Sequence, residues 1–131
     1  MILRFVICSY FIVACLQLRA KEIDERIKEV FGTHLVELQK NTKHLELLND
    51  ILNNRTKVNL EPYRESEKYQ KLSEISLFNT YNPDIKVDNA FDINSFNVLK
   101  YDLPFFTRIP LKYRIDGTDY ILIIIPINYE E

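Results

Sequence analysis

The sequence predicts an α+β protein, and three observations carry that reading. An amphipathic stretch with helical spacing comes first, an aromatic-rich stretch with no period follows, and two apolar runs around Asp116-Gly117 close the chain. The expected architecture is a long N-terminal helix over 21–54, packed on an irregular segment over 55–108 and a β-hairpin over 109–127. Residues 21–131 then form one domain behind a leader, 1–20.

The leader is "MILRFVICSYFIVACLQLRA". A short basic start ends at Arg4, an apolar run covers Phe5 to Leu16, and Gln17 and Arg19 interrupt it, which is the layout of a secretory signal peptide. A membrane-spanning helix needs about 20 apolar residues, so this run is too short for one. Ile12-Val13-Ala14-Cys15 resembles the lipobox of bacterial lipoproteins, in which the cysteine thiol takes a diacylglyceryl group and becomes the mature N-terminus. A competing cut after Ala20 releases the chain with no anchor. The chain is therefore expected to be exported, to the periplasm, outer membrane or exterior, and held on a membrane only if Cys15 is lipidated.

Both cysteines, Cys8 and Cys15, lie in this leader, so the mature domain has no disulfide and must be stabilised by apolar burial. About 110 residues remain, enough for one core. The formal charge is −2, and losing Arg4 and Arg19 with the leader takes it to −4. No basic field for nucleic acid is present.

In "KEIDERIKEVFGTHLVELQKNTKHLELLNDILNN", Phe31, Leu38, Leu45 and Leu52 recur every seven residues. Ile27, His34, Asn41 and Leu48 fill the second seam of the same heptad. Val30 and Leu35 widen the stripe, which suits both packing on a domain and pairing with another helix. Gly32 weakens the helix interior by about 1 kcal/mol relative to alanine, and Asn53 and Asn54 mark its end. His34 and His44 lie ten apart on different faces, so they lack the spacing of a helical metal site; no metal or cofactor is expected. Asn54-Arg55-Thr56 is a glycosylation sequon, with meaning only in a eukaryotic source.

From Arg55 onward the pattern changes. Pro62 suits the first turn of a short helix through "YRESEKYQKL". Beyond it come aromatic–polar pairs: Phe78-Asn79, Tyr81-Asn82, Phe91-Asp92, Phe96-Asn97 and Tyr101-Asp102. Each ring is expected to anchor the chain on the core while the Asn or Asp side chain closes a turn. The functional alternative is an aromatic surface that stacks on sugars.

"IPLKYRIDGTDYILIIIPINYEE" predicts a hairpin with a two-residue type I′ turn at Asp116-Gly117. That register sets Arg114 opposite Asp119, Tyr113 opposite Tyr120 and Leu111 opposite Leu122. The run Tyr120 to Ile125 is apolar on both faces, so both should be covered, with Ile123 buried.

The string "YQKLSEISLFNTYNP…FDINSFNVLKYDLPFFTRIPLKYRIDGTDYILIIIP", about half the chain, resembles a group of short exported bacterial proteins. They share a Tyr-Asn-Pro element, a Phe-Asn-x-Leu-Lys-Tyr element and a closing Tyr-Arg-x-Asp-x-Thr-x-Tyr hairpin. The resemblance implies export and brings no activity with it. Where that group has proline after Phe-Asn, this chain has Val98.

Enzyme classes are tested by their required parts. With Gly32 and Gly117 as the two glycines, there is no phosphate loop or dinucleotide fingerprint. No serine sits in a G-x-S-x-G setting. The chain therefore reads as a non-enzymatic exported envelope protein, either a structural or protein-interaction module or a binding module for an apolar or glycan ligand. Its expected contact residues are Phe31, Leu38, Leu45 and Leu52 on the helix and Ile121 and Ile123 on the last strand, with self-association or a protein partner through the helix.

Intact mass of the exported protein distinguishes a chain beginning at acylated Cys15 from one beginning at Lys21. Cys15→Ser is expected to leave export intact and to move a lipidated protein from the membrane to the soluble fraction. An unmodified N-terminus with an unchanged distribution would overturn the lipobox reading.

Overall fold

The computed structural model describes residues 22–126, so the leader with Cys15 and residues 127–131 lie outside the described residues. The α+β class holds: helices come first, and a four-stranded mixed sheet is completed by the end of the chain.

The helical stretch is not one long helix. Asp24 caps α1 (Glu25–Phe31), its carboxylate accepting the Arg26 N–H at 2.9 Å. Hydrogen bonds from Arg26, whose guanidinium lies 2.8 Å away, hold that carboxyl below its ordinary value. Gly32, with φ +52° and ψ −125°, ends the helix in a conformation that a β-carbon would strain. A 3₁₀ turn (Gly32–His34) leads into α2 (Leu35–Lys40). Asn41 then breaks the ladder at φ −110° and ψ 85°, and its side chain accepts the His44 N–H at 3.1 Å, so it starts α3 (Thr42–Asp50) as an N-cap. A π turn (Ile51–Arg55) delivers the chain into the sheet.

The breaks bend these helices around the core. Ile27, Val30, Phe31, Leu38, Leu48, Ile51 and Leu52 are all buried there. The heptad spacing survives because each break restarts the helix with its apolar side still inward. Val36, at 60 % exposure, is left outside.

The segment expected to be irregular contains two strands, β1 (Thr56–Leu60) and the two-residue β2 (Gln70–Lys71). With β3 (Leu111–Arg114) and β4 (Tyr120–Ile124) they form a sheet in the order β1-β4-β3-β2. The strand β4 is central, antiparallel to β1 on one side and β3 on the other, while β2 runs parallel to β3. Residues 61–69 form no helix; they cross between the two edges over the face of the sheet opposite the core.

The hairpin register differs from the expected one by two residues. Tyr113 pairs with Leu122, Leu111 with Ile124 and Arg114 with Ile121. Asp116 does not take the positive φ of a type I′ turn; only glycines do among the described residues. Instead its carboxylate accepts the Ser73 N–H and Oγ–H, both at 2.9 Å, while the Thr118 N–H reaches the Ile115 carbonyl at 3.2 Å. A slip of two leaves each side chain on its intended face, because strand side chains alternate with period two.

The inner face of β4 presents Leu122 and Ile124, both at 0 % exposure, to the helices. Its outer face carries Ile121 and Ile123. Ile121 is buried outside the main core cluster, and Ile123 is half-buried rather than buried. What lies over that face is the crossover 61–69, fastened by Arg114. The guanidinium donates through Nε and Nη2 to the two Glu67 carboxylate oxygens, the Nε bond measuring 3.0 Å, and through Nη1 to the Glu61 carbonyl at 2.6 Å. Tyr63 lies 6.0 Å from the guanidinium carbon. The expected Arg114–Asp119 pair is replaced by this clamp.

Hydrogen bonds from Arg114 hold the Glu67 carboxyl below its ordinary value near 4.5. A carboxyl with a lowered folded-state pKa stabilises above the unfolded value and loses that contribution as pH falls through the folded one. Glu67→Gln should therefore lower the urea midpoint at pH 7, and the gap to the parent chain should close on acidification below about 4.5. A gap that is constant with pH would mean the carboxylate charge is not what holds the crossover.

Candidate functional site

A cleft of about 640 Å³ opens between the β2 exit, the segment 87–101 and the hairpin turn. Local sequence builds each wall. After β2 the chain makes a 3₁₀ turn (Leu72–Glu74), which buries Leu72 and places Ser73 against Asp116. Asp92 accepts the Asn94 N–H at 2.9 Å, turning the chain so that Phe91 and Phe96 meet with ring centroids 5.4 Å apart. Phe91 also lies 5.3 Å from Tyr120, and Phe96 6.1 Å from Tyr101, giving the cleft an aromatic floor.

Between the lining residues Phe96 and Tyr101 the chain makes the 3₁₀ turn Val98–Lys100, which stands behind the cleft and buries polar groups. Asn97, at 1 % exposure, accepts the Leu99 N–H and donates to the Arg26 carbonyl at 2.9 Å and to Glu29 at 3.2 Å. Lys100 is 4 % exposed, with its ammonium 3.0 Å from Asp88 and 3.5 Å from Glu29. Burial acts to lower its pKa, but the Asp88 and Glu29 carboxylates outweigh it and the net shift is upward. Asn82 makes a parallel link, donating to the Glu29 carbonyl at 2.7 Å and accepting the Asp84 N–H. Three of the five aromatic–polar pairs thus close turns through their Asn or Asp, at Asn82, Asp92 and Asn97.

Tyr101 stands between the floor and the rim. It is 8 % exposed, yet its hydroxyl has no hydrogen-bond partner among the described residues. Burial raises its pKa; the Lys100 charge opposes that, and Asp88 and Asp116, both lining the cleft, add to it. The cleft therefore combines ring faces, one hydroxyl able to donate or accept, and a rim of Asp88, Asn89, Asp116 and Thr118. No lysine or arginine lines it, and Lys100 behind it is paired with Asp88 and Glu29, so the rim is acidic and unsuited to an anion.

The sequence-predicted contact residues lie elsewhere. Phe31, Leu38, Leu52 and Ile121 are buried in the protomer, and Leu45 and Ile123 are half-buried. The helix stripe is thus the chain's own core. His34 and His44 each touch one ring of the Phe31–Tyr81 stack, with His34 5.0 Å from Tyr81 and His44 5.7 Å from Phe31. No cluster of three metal-ligating side chains occurs among the described residues.

A second, more apolar groove of about 290 Å³ runs beside α3, past Leu47, Phe78 and Phe106. Sequence reasoning missed Ser73, Asp88 and Tyr101 as one site because they come from three separated segments. The readable signal was Asn97 and Lys100 set among apolar neighbours in "FNVLKY".

No family model, no curated protein and no solved structure matches the chain. No helix among the described residues is long and apolar enough to cross a membrane.

Removing a hydroxyl that makes no hydrogen bond within the fold should cost the fold little. Tyr101→Phe is expected to keep stability within about 1 kcal/mol of the parent chain in chemical denaturation. A larger loss would show that the hydroxyl is bonded within the fold and is not free for a ligand.

Proposed function

We propose that this is an exported envelope protein that works by binding rather than catalysis, and that the cleft holds an uncharged ligand with an apolar face, such as a sugar unit. The observation that carries this reading is a cleft that sets the Phe91 and Phe96 rings beside the Tyr101 hydroxyl, which makes no hydrogen bond among the described residues. Aromatic rings accept the C–H face of a sugar, while a few placed polar groups fix its orientation. The Asp88 and Asp116 carboxylates favour hydroxyl donors and repel anionic ligands. Export and the use of Cys15 or Ala20 rest on the leader sequence.

The interaction-module reading is kept for a different surface. With the helix stripe used inside the protomer, a protein contact has to form through an edge or an exposed patch, and β1 supplies an edge.

Calorimetric titration with neutral gluco-oligosaccharides tests the cleft. Binding is expected to weaken roughly tenfold in Phe91→Ala and in Tyr101→Phe, about 1.4 kcal/mol each, and to fall when the probe carries sulfate groups. Absence of binding to any neutral probe, or equal affinity in both variants, would overturn the reading.

A further inference from the structure

The edge strand β1 carries the features of a self-complementary contact. Its pairing with β4 is bounded by the Ile125 N–H on the Arg55 carbonyl at 2.8 Å and the Glu61 N–H on the Asp119 carbonyl at 2.7 Å. In an antiparallel ladder alternate residues carry the bonds, so Arg55, Lys57, Asn59 and Glu61 face β4. The N–H and C=O groups of Val58 and Leu60 therefore point the other way. Among the described residues β1 pairs only with β4, which leaves these groups free on an open edge.

The side chains add shape to that edge. Leu60, at one end of the strand, is 67 % exposed. At the other end a depression of about 220 Å³ has an apolar base that includes Leu52, Val58, Ile93 and Leu122, with Thr56 and the cationic Arg26 and Lys57 also lining it, and Ile93 is itself 51 % exposed. Thr56, Val58 and Leu60 share one face of the strand, the face on which the depression lies.

We propose that β1 is the contact strand of a two-fold dimer of this chain. A two-fold axis through Val58 sets Val58 against its own copy and Leu60 opposite Thr56 of the second copy. Each exposed Leu60 then enters the depression at the other protomer's Thr56 end. On the opposite face Lys57 meets Asn59 of the second copy, so no like charges are opposed, which is the condition under which such an edge pairs. The two sheets join into one, and the contact is isologous. A protruding side chain and a matching hollow, placed by the strand's own register, favour a second copy over an unrelated peptide.

Sedimentation equilibrium of the purified chain over a range of concentrations tests this. The mass is expected to rise from one protomer to two. Val58→Pro removes a free-edge N–H that takes no part in the pairing with β4, so the fold should persist while the dimer is lost. Leu60→Glu changes an exposed residue and should raise the dimer dissociation constant roughly tenfold or more with an unchanged urea midpoint. A chain that stays monomeric at every concentration overturns the proposal. So does a dimer unaffected by Leu60→Glu, or a monomer that takes up an extended peptide from another protein along β1.

Discussion

The strand Tyr120–Ile124 imposes the condition that the rest of the molecule meets. It is apolar on both faces and lies in the middle of the sheet, paired at both edges. Such a strand is stable only if two separate covers reach it. The bent helices supply one, and their breaks at Gly32 and Asn41 let short helices follow the core where a straight rod would leave it. The crossover 61–69 supplies the other. Because that crossover has little apolar content of its own, it is held by charge and hydrogen bonding to Arg114 instead.

Buried polar groups do much of the joining elsewhere, and most are matched; the Arg55 Nε and one Glu61 carboxylate oxygen are enclosed with no hydrogen-bond partner among the described residues. Asn97 links the 3₁₀ turn to α1 through the Arg26 carbonyl and Glu29, and Lys100 adds a second link to Glu29. Asp116 ties the hairpin turn to Ser73. An unmatched buried amide or ammonium would cost the full penalty of desolvation, about 1–3 kcal/mol for a neutral group and more for a charge. These contacts therefore fix which loop sits where, in a stretch, 22–126, that contains no cysteine. The same loops make the walls of the cleft.

Much of the fold was legible because its signals are local. The heptad spacing of Phe31, Leu38 and Leu52 does mark inward positions, and the double-faced run at Tyr120 to Ile124 does demand cover on both sides. What was not legible depends on distant partners. "TKVNL" is five residues with a weak alternation, and only the arrival of β4 makes it a strand. Asn41 sits at a seam position of the heptad, so its period concealed its role as a cap. Arg114 had Asp119 close in sequence, but Glu67 wins because the crossover brings it to the guanidinium. The cleft was illegible for the same reason: Ser73, Asp88, Tyr101 and Asp116 carry no shared motif, and the sheet and the Asx turns bring them together.

The order of strands in space bears on the order of events in time. The strand in the centre of the sheet is the last to be made, since Thr56 pairs with Ile124 across more than half the chain. Until that segment emerges, β1 has no strand to pair with among the described residues and β3 has only the two residues of β2, so most of the sheet cannot assemble from the N-terminal end. Closure then depends on long-range encounters, the slow kind in folding. A chain built this way remains threadable throughout its synthesis and becomes a folded body only once its C-terminal strand is delivered.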